Sequence, residues 1–168
     1  MATVPSSGAA TVTLPTDEQI LITREFDAPK DLVYKAYTTP ELVRQWWTAK
    51  RGRMTVVEID LRVGGAWRYA MVTEDGSEVA FHGEYREIVP DERIVSTEVY
   101  EMPGAEPLPA ADEPLNIVEF TEVDGRTTLS ILVQCTTREL RDTIINSGME
   151  DGLQDAMDLM EEVLTALR

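Results

Sequence analysis

The C-terminal stretch of the chain constrains everything before it. From Met149 on, apolar side chains fall at Met149, Leu153, Ala156, Met157, Met160, Val163, Leu164 and Leu167. Steps of three and four put them on one side of an α-helix. Glu150, Asp151, Asp155, Asp158, Glu161 and Glu162 fall on the other side. A helix of this length spans about 30 Å, the width of a small domain. It cannot bury its apolar stripe alone, so the upstream chain must supply a surface that covers it.

That surface reads as β-sheet. Gln19 to Phe26 is the first strand, with Ile20, Ile22 and Phe26 on one face and Arg24 among them. A charge on that face must reach the rim or find a carboxylate. Asp27-Ala28-Pro29 stops the strand and starts a helix that runs to about Tyr37, with Pro29 at its first position. Thr39-Pro40-Glu41 repeats the start signal with Thr39 as N-cap, and the second short helix carries Leu42, Val43 and Trp46 on one side. From Met54 to Cys135 the pattern becomes short alternating runs with turns at Gly64-Gly65, Glu74 to Ser77, Pro90 to Glu92 and Asp124-Gly125. Six consecutive strands with short connections predict an antiparallel meander. Met102 to Glu113 interrupts it with Pro103, Pro107 and Pro109 and reads as a surface loop, either a lid or a variable exposed segment. Thr137 to Ile145 reads as helical, and Asn146-Ser147-Gly148 as a break before the final helix.

The expected fold is α+β: a curved antiparallel sheet of about seven strands gripping the C-terminal helix, with two short helices after the first strand. Residues 16–168 form one domain. Residues 1–15, rich in Ala, Ser, Thr and Pro, read as a flexible tail or an added edge segment. A curved sheet and a straight helix need not meet along their whole length, and the space between them is where a ligand would go.

The totals exclude several function classes. The net charge of −16 argues against nucleic acid and against anionic membrane, since both reward a basic footprint. No apolar run approaches the roughly 20 residues of a membrane span. The N-terminus lacks the basic and apolar regions of a signal peptide, and Cys135 is the single cysteine, so a cytoplasmic location is expected. Cys135 has no His beside it and reads as a small buried apolar residue. His82, on the polar face of its strand, reads as solvent-facing. No metal site and no cofactor motif is expected.

Several motifs occur in order: Arg24 to Pro29, Trp46-Trp47, Asp60 to Trp67, Gly83-Glu84-Tyr85, and Gly148 to Gly152. Together they resemble the START-like (SRPBCC) superfamily, in the branch named after the activator of the ninety-kilodalton heat-shock protein's ATPase. The resemblance covers about Gln19 to Arg168. It implies the helix-grip fold, a deep hydrophobic cavity between helix and sheet, and a dimer in many members. It does not imply one activity, since members include lipid and hormone binders, cyclases and co-chaperone domains. The chain departs from the family at Gly152-Leu153, where a Gly-Trp pair is common; the smaller Leu153 leaves more room beside the helix unless a neighbour fills it.

The expected ligand-binding residues are Trp46, Trp47, Trp67, Tyr69, Met71, Phe81, Tyr85, Glu98, Tyr100, Met149 and Leu153. The tryptophans offer large apolar area with one N–H each, either as pocket wall or as a plug between the short helices and the sheet. The alternating aromatics face the helix and pack the core, and their hydroxyls would orient a ligand. Glu98 shares a face with Ile94 and Tyr100, and Glu119 with Ile117. Whichever face points inward carries a carboxylate that must be paired or titrate high, with Arg24 and Arg68 as candidate partners. No catalytic residue is assigned. The expected function is binding of an apolar small molecule. A cyclase or dehydratase acting in the same cavity and a co-chaperone-like module are the alternatives.

Overall fold

The computed structural model describes residues 10–48, 51–101, 113–146 and 149–167. In chain order the elements are β1 (Thr11–Thr13), β2 (Gln19–Phe26), α1 (Lys30–Thr38), α2 (Pro40–Trp46), β3 (Gly52–Ile59), β4 (Ala66–Thr73), β5 (Glu78–Val89), β6 (Arg93–Thr97), β7 (Val99–Glu101), β8 (Leu115–Val123), β9 (Arg126–Gln134), α3 (Arg138–Asn146) and α4 (Met149–Leu167). All strand pairs are antiparallel, in the order β1-β2-β9-β8-β6-β5-β4-β3, with β7 beside β5.

Local chemistry explains the connections. Asp124 and Gly125 both take positive φ, 54° and 79°, which is what a two-residue hairpin between right-twisted strands requires. Thr39 caps α2 through its extended backbone with Pro40 next, although its hydroxyl makes no capping bond. Pro29 is the N-cap of α1 rather than its first residue; with no N–H to lose, proline suits either position.

The sheet's inner rows are legible in the register. Ile20, Val133, Asn116, Ser96 and Tyr85 line up across β2, β9, β8, β6 and β5; Ile22, Ile131, Val118 and Ile94 form the next row. Ala156, Met157, Met160, Val163 and Leu164 of α4 are buried in the same core, with Val33 and Ala36 of α1 and Val43 and Trp46 of α2. Fully burying one such side chain stabilises the fold by about 1.5–3 kcal/mol. Three polar contacts fix α4. The Arg24 guanidinium on β2, buried and 4.8 Å from the Phe26 ring centroid, donates to Asp158 at 3.1 Å. Arg51 pairs with Asp155 at 3.2 Å. Gln154 donates to the Ala10 carbonyl at 2.7 Å and accepts from the Ala10 N–H at 3.0 Å.

The sheet among the described residues has nine strands rather than about seven. One addition is β1: Thr11–Thr13 pairs with Leu21–Thr23, so this part of the N-terminal segment is the edge strand and not a tail. The other is a break. The run expected from Arg93 to Glu101 divides at Glu98, where on the β5 side the Thr97 hydroxyl accepts from the Glu84 N–H; on the other side the Glu98 N–H bonds the Pro114 carbonyl in continuation of the β6–β8 register. The expected helix break closes α3 at Asn146 and opens α4 at Met149; Ser147 and Gly148 lie outside the described residues. The loop expected at Met102 to Glu113 lies outside them too, apart from Glu113.

Candidate functional site

The division at Glu98 places a carboxyl inside the sheet. Tyr85 pairs with Ser96 and Phe81 with Tyr100, so Glu98 falls opposite Gly83, on the face it shares with both rings. Gly83 has to be glycine. A Cβ there would lie 1.9 Å from the Thr97 carbonyl oxygen and 2.5 Å from the Trp67 Nε1. The Trp67 indole therefore lies over Gly83, its N–H edge toward the strand that carries Glu98. One position on, Asn116 pairs with Ser96, and its side chain lies near enough to the Glu98 carboxyl to favour its charged form. Trp67, Glu98 and Asn116 thus form a polar row across β4, the β6–β7 junction and β8.

Aromatic rings surround that row. Trp67 and Tyr69 have centroids 4.8 Å apart, and Trp47 meets Tyr69 and Phe81 edge-on at 5.5 and 5.4 Å. Tyr100 stacks on Phe81 at 5.0 Å. Tyr37 of α1 meets Phe120 of β8 edge-on at 5.9 Å. Burial pushes the Glu98 carboxyl above the ordinary carboxylate range, against the opposing influence of the Asn116 side chain. Burial also raises the Tyr37, Tyr69 and Tyr85 hydroxyls, and the Glu98 charge adds to the shift at Tyr37 and Tyr69. Those interactions set Tyr37 and Tyr69 near the carboxyl, with Tyr85 beside both. Two atoms of the row have no hydrogen-bond partner: the Trp67 Nε1 and the Asn116 Oδ1, on residues only 6% and 9% exposed.

Most of the residues expected at the site come together here: Trp47, Trp67, Tyr69, Phe81, Tyr85, Glu98 and, at 48% exposure on the rim, Tyr100. Met71 is buried one step further along the inner face of β4. Leu153 packs against the core from α4. Trp46 stands apart. It stacks on Tyr37 at 5.8 Å and donates its N–H to the Ala36 carbonyl at 2.9 Å, so it locks α1 to α2. Met149 opens α4, and its side chain lies outside the described residues.

Two residues were not anticipated. Asn116 leaves a signal in the sequence, a lone amide in the alternation Asn116, Val118, Phe120. Tyr37 lies four residues after the buried Val33 and so on the same side of α1.

Neither suggested arginine partner reaches Glu98. Arg24 is taken by Asp158, and Arg68 lies on the outer face, doubly bonded to Glu101 at 2.9 and 3.0 Å. Glu101 also holds the half-exposed His82 at 2.8 Å. Glu119 faces outward and pairs with Arg93 at 2.9 Å, on the wall of an open groove of about 460 Å³ between Lys30, Glu92 and Phe120. The cations of that groove are already paired, Lys30 with Glu92 at 2.6 Å. Cys135 is buried, and burial raises its thiol, which suits a packing role. Among the described residues no group of His, Cys, Asp and Glu is placed to hold a metal, and no helix is long and apolar enough to cross a membrane.

Solved structures repeat this architecture. A Rhodobacter sphaeroides protein superposes with a TM-score of 0.84 at 23% identity, over 95% of this chain and 100% of its own. A Mycobacterium smegmatis protein gives 0.82 at 25% identity over the same shares. An AHSA1-like protein from Aeromonas hydrophila gives 0.63 at 19% identity, over 88% of this chain and 93% of its own. No curated protein matches the chain. The shared fold supports a ligand-binding or regulatory domain. Residues 27–165, nearly the whole described domain, match the family described as activator of Hsp90 ATPase homolog 1-like protein, and the chain belongs to that family.

Proposed function

We propose that the protein binds a small, mainly apolar molecule between the inner face of the sheet and α4, against Trp47, Trp67, Tyr69, Phe81 and Leu153. One observation carries this reading. Tyr37 and Glu98 are enclosed by protein closely enough for burial to dominate their titration, yet both retain accessible surface. Groups that are deeply set yet partly accessible are what the wall of a ligand pocket presents. Aromatic walls with a few convergent polar groups are the usual make-up of a small-molecule site.

The test is mass spectrometry of the freshly purified protein, native and then denatured, followed by a thermal-shift titration with propylbenzene. A small molecule released only on denaturation, or a saturable rise in Tm, supports the reading. No released molecule together with no shift overturns it.

A second reading rests on the same carboxyl. A buried carboxyl titrating high among tyrosine hydroxyls is equipped to exchange protons with a bound substrate. In that reading Glu98 is the proton-transfer group of a cyclase- or dehydratase-type enzyme. A Glu98 carboxyl that titrates in its ordinary range by carbon-13 NMR removes this second reading and leaves the first intact.

A further inference from the structure

We propose that Trp67, Glu98 and Asn116 form the head-group subsite of the interior, and that the ligand is uncharged and carries both a hydrogen-bond acceptor and a hydrogen-bond donor, as a primary amide or a hydroxy-ketone does. The inference rests on the reading of the interior as a ligand site and names the chemistry of one end of it. Unpartnered polar atoms on residues this buried are uncommon. Here two occur in one row, and they are of opposite kinds. The Trp67 Nε1–H is a donor without an acceptor, and the Asn116 Oδ1 an acceptor without a donor. The strand register sets both residues on the sheet face that carries the Glu98 carboxyl. Neighbouring side chains close off both atoms, so the head group reaches them by displacing part of the aromatic wall.

Charge selects further. Arg24 and Arg68, the partners the sequence suggested for Glu98, are both held elsewhere, by Asp158 and Glu101. Among the described residues no cation pairs with Glu98, so an anionic head would meet it without an offset. A cationic head would suit Glu98 and the Asn116 oxygen but would give the Trp67 donor nothing to bond. A neutral head with both functions satisfies every group in the row.

The test is calorimetric titration of the full chain with four probes that share one apolar body: phenylpropanamide, phenylpropanoate, phenylpropylamine and propylbenzene. The amide is expected to bind at least about tenfold tighter than propylbenzene, the gain of recovering hydrogen bonds to buried groups. Phenylpropanoate is expected to bind more weakly than propylbenzene. Asn116→Leu is expected to bring the amide down to the propylbenzene level while propylbenzene still binds, which shows the fold intact. If Asn116→Leu does not fold, the order of the four probes on the parent decides. Equal binding of amide and propylbenzene overturns the subsite and leaves the interior site standing. Tightest binding of the amine or the carboxylate overturns the uncharged class. No binding by any probe overturns the subsite and the ligand site together.

Discussion

Single residues in this protein matter through what they leave unmatched. Arg24 is buried and Asp158 is mostly exposed, with side-chain exposures of 1% and 62%. Burial works against the Arg24 charge, and Asp158 and Glu161 offset it. Removing the carboxylate strands a buried cation, whereas removing the cation releases a carboxylate to water. Asp158→Asn is therefore expected to destabilise by about 1–2 kcal/mol, and Arg24→Met to cost less, as urea denaturation of both variants will measure. Equal losses would contradict this asymmetry. Glu98 gives a pH prediction. Its folded-state carboxyl titrates above the unfolded one, so its stabilising contribution is complete below the unfolded value and is lost as pH rises through the folded value. Glu98→Gln should therefore gain in Tm relative to the parent at about pH 8 compared with about pH 4. A constant difference across that range would contradict the raised carboxyl. At this scale the sequence was partly legible. The face shared by Ile94, Glu98 and Tyr100 marked Glu98 as a buried-carboxyl candidate. Its polar neighbour was not legible, because Asn116 is eighteen residues away and comes near it only through strand pairing.

Whole elements were easier to read, because periodicity reports which side is buried. Gln19–Phe26, Arg126–Gln134 and the C-terminal helix follow their apolar spacing. The Glu98 break was hidden, since alternation continues through Ser96, Glu98 and Tyr100 while the Glu84 N–H bonds the Thr97 hydroxyl. Gly83 records that change from the other strand. Gly83→Ala drives a methyl into the Thr97 carbonyl and is expected to cost at least about 2–3 kcal/mol, seen as a lower urea midpoint with the denaturant slope unchanged. Near-parental stability would show that the β5–β6 approach is looser than described. The edge strand Thr11–Thr13 was hard to assign for a different reason: three residues carry too short an alternation to register, and its pairing depends on β2 and on the Gln154 contact.

For the molecule as a whole, the chain carries a net charge of −16, while the inner face of the sheet carries a cluster of aromatic rings around Trp67 and Tyr69. In the proposed site, Leu153 of α4 is the position at which a larger side chain would take up the ligand's space. Leu153→Trp is expected to weaken propylbenzene binding about tenfold or more without lowering Tm. Unchanged binding would place the probe elsewhere. The central claim is that the sheet and α4 enclose a site for an apolar ligand. Intermolecular NOE measurement with saturating propylbenzene tests it most directly. The account predicts contacts from the probe to the Tyr69 and Phe81 rings and to the Leu153 and Met157 methyls. Contacts confined to exposed residues such as Val89 and Val123, or none at all, would contradict it.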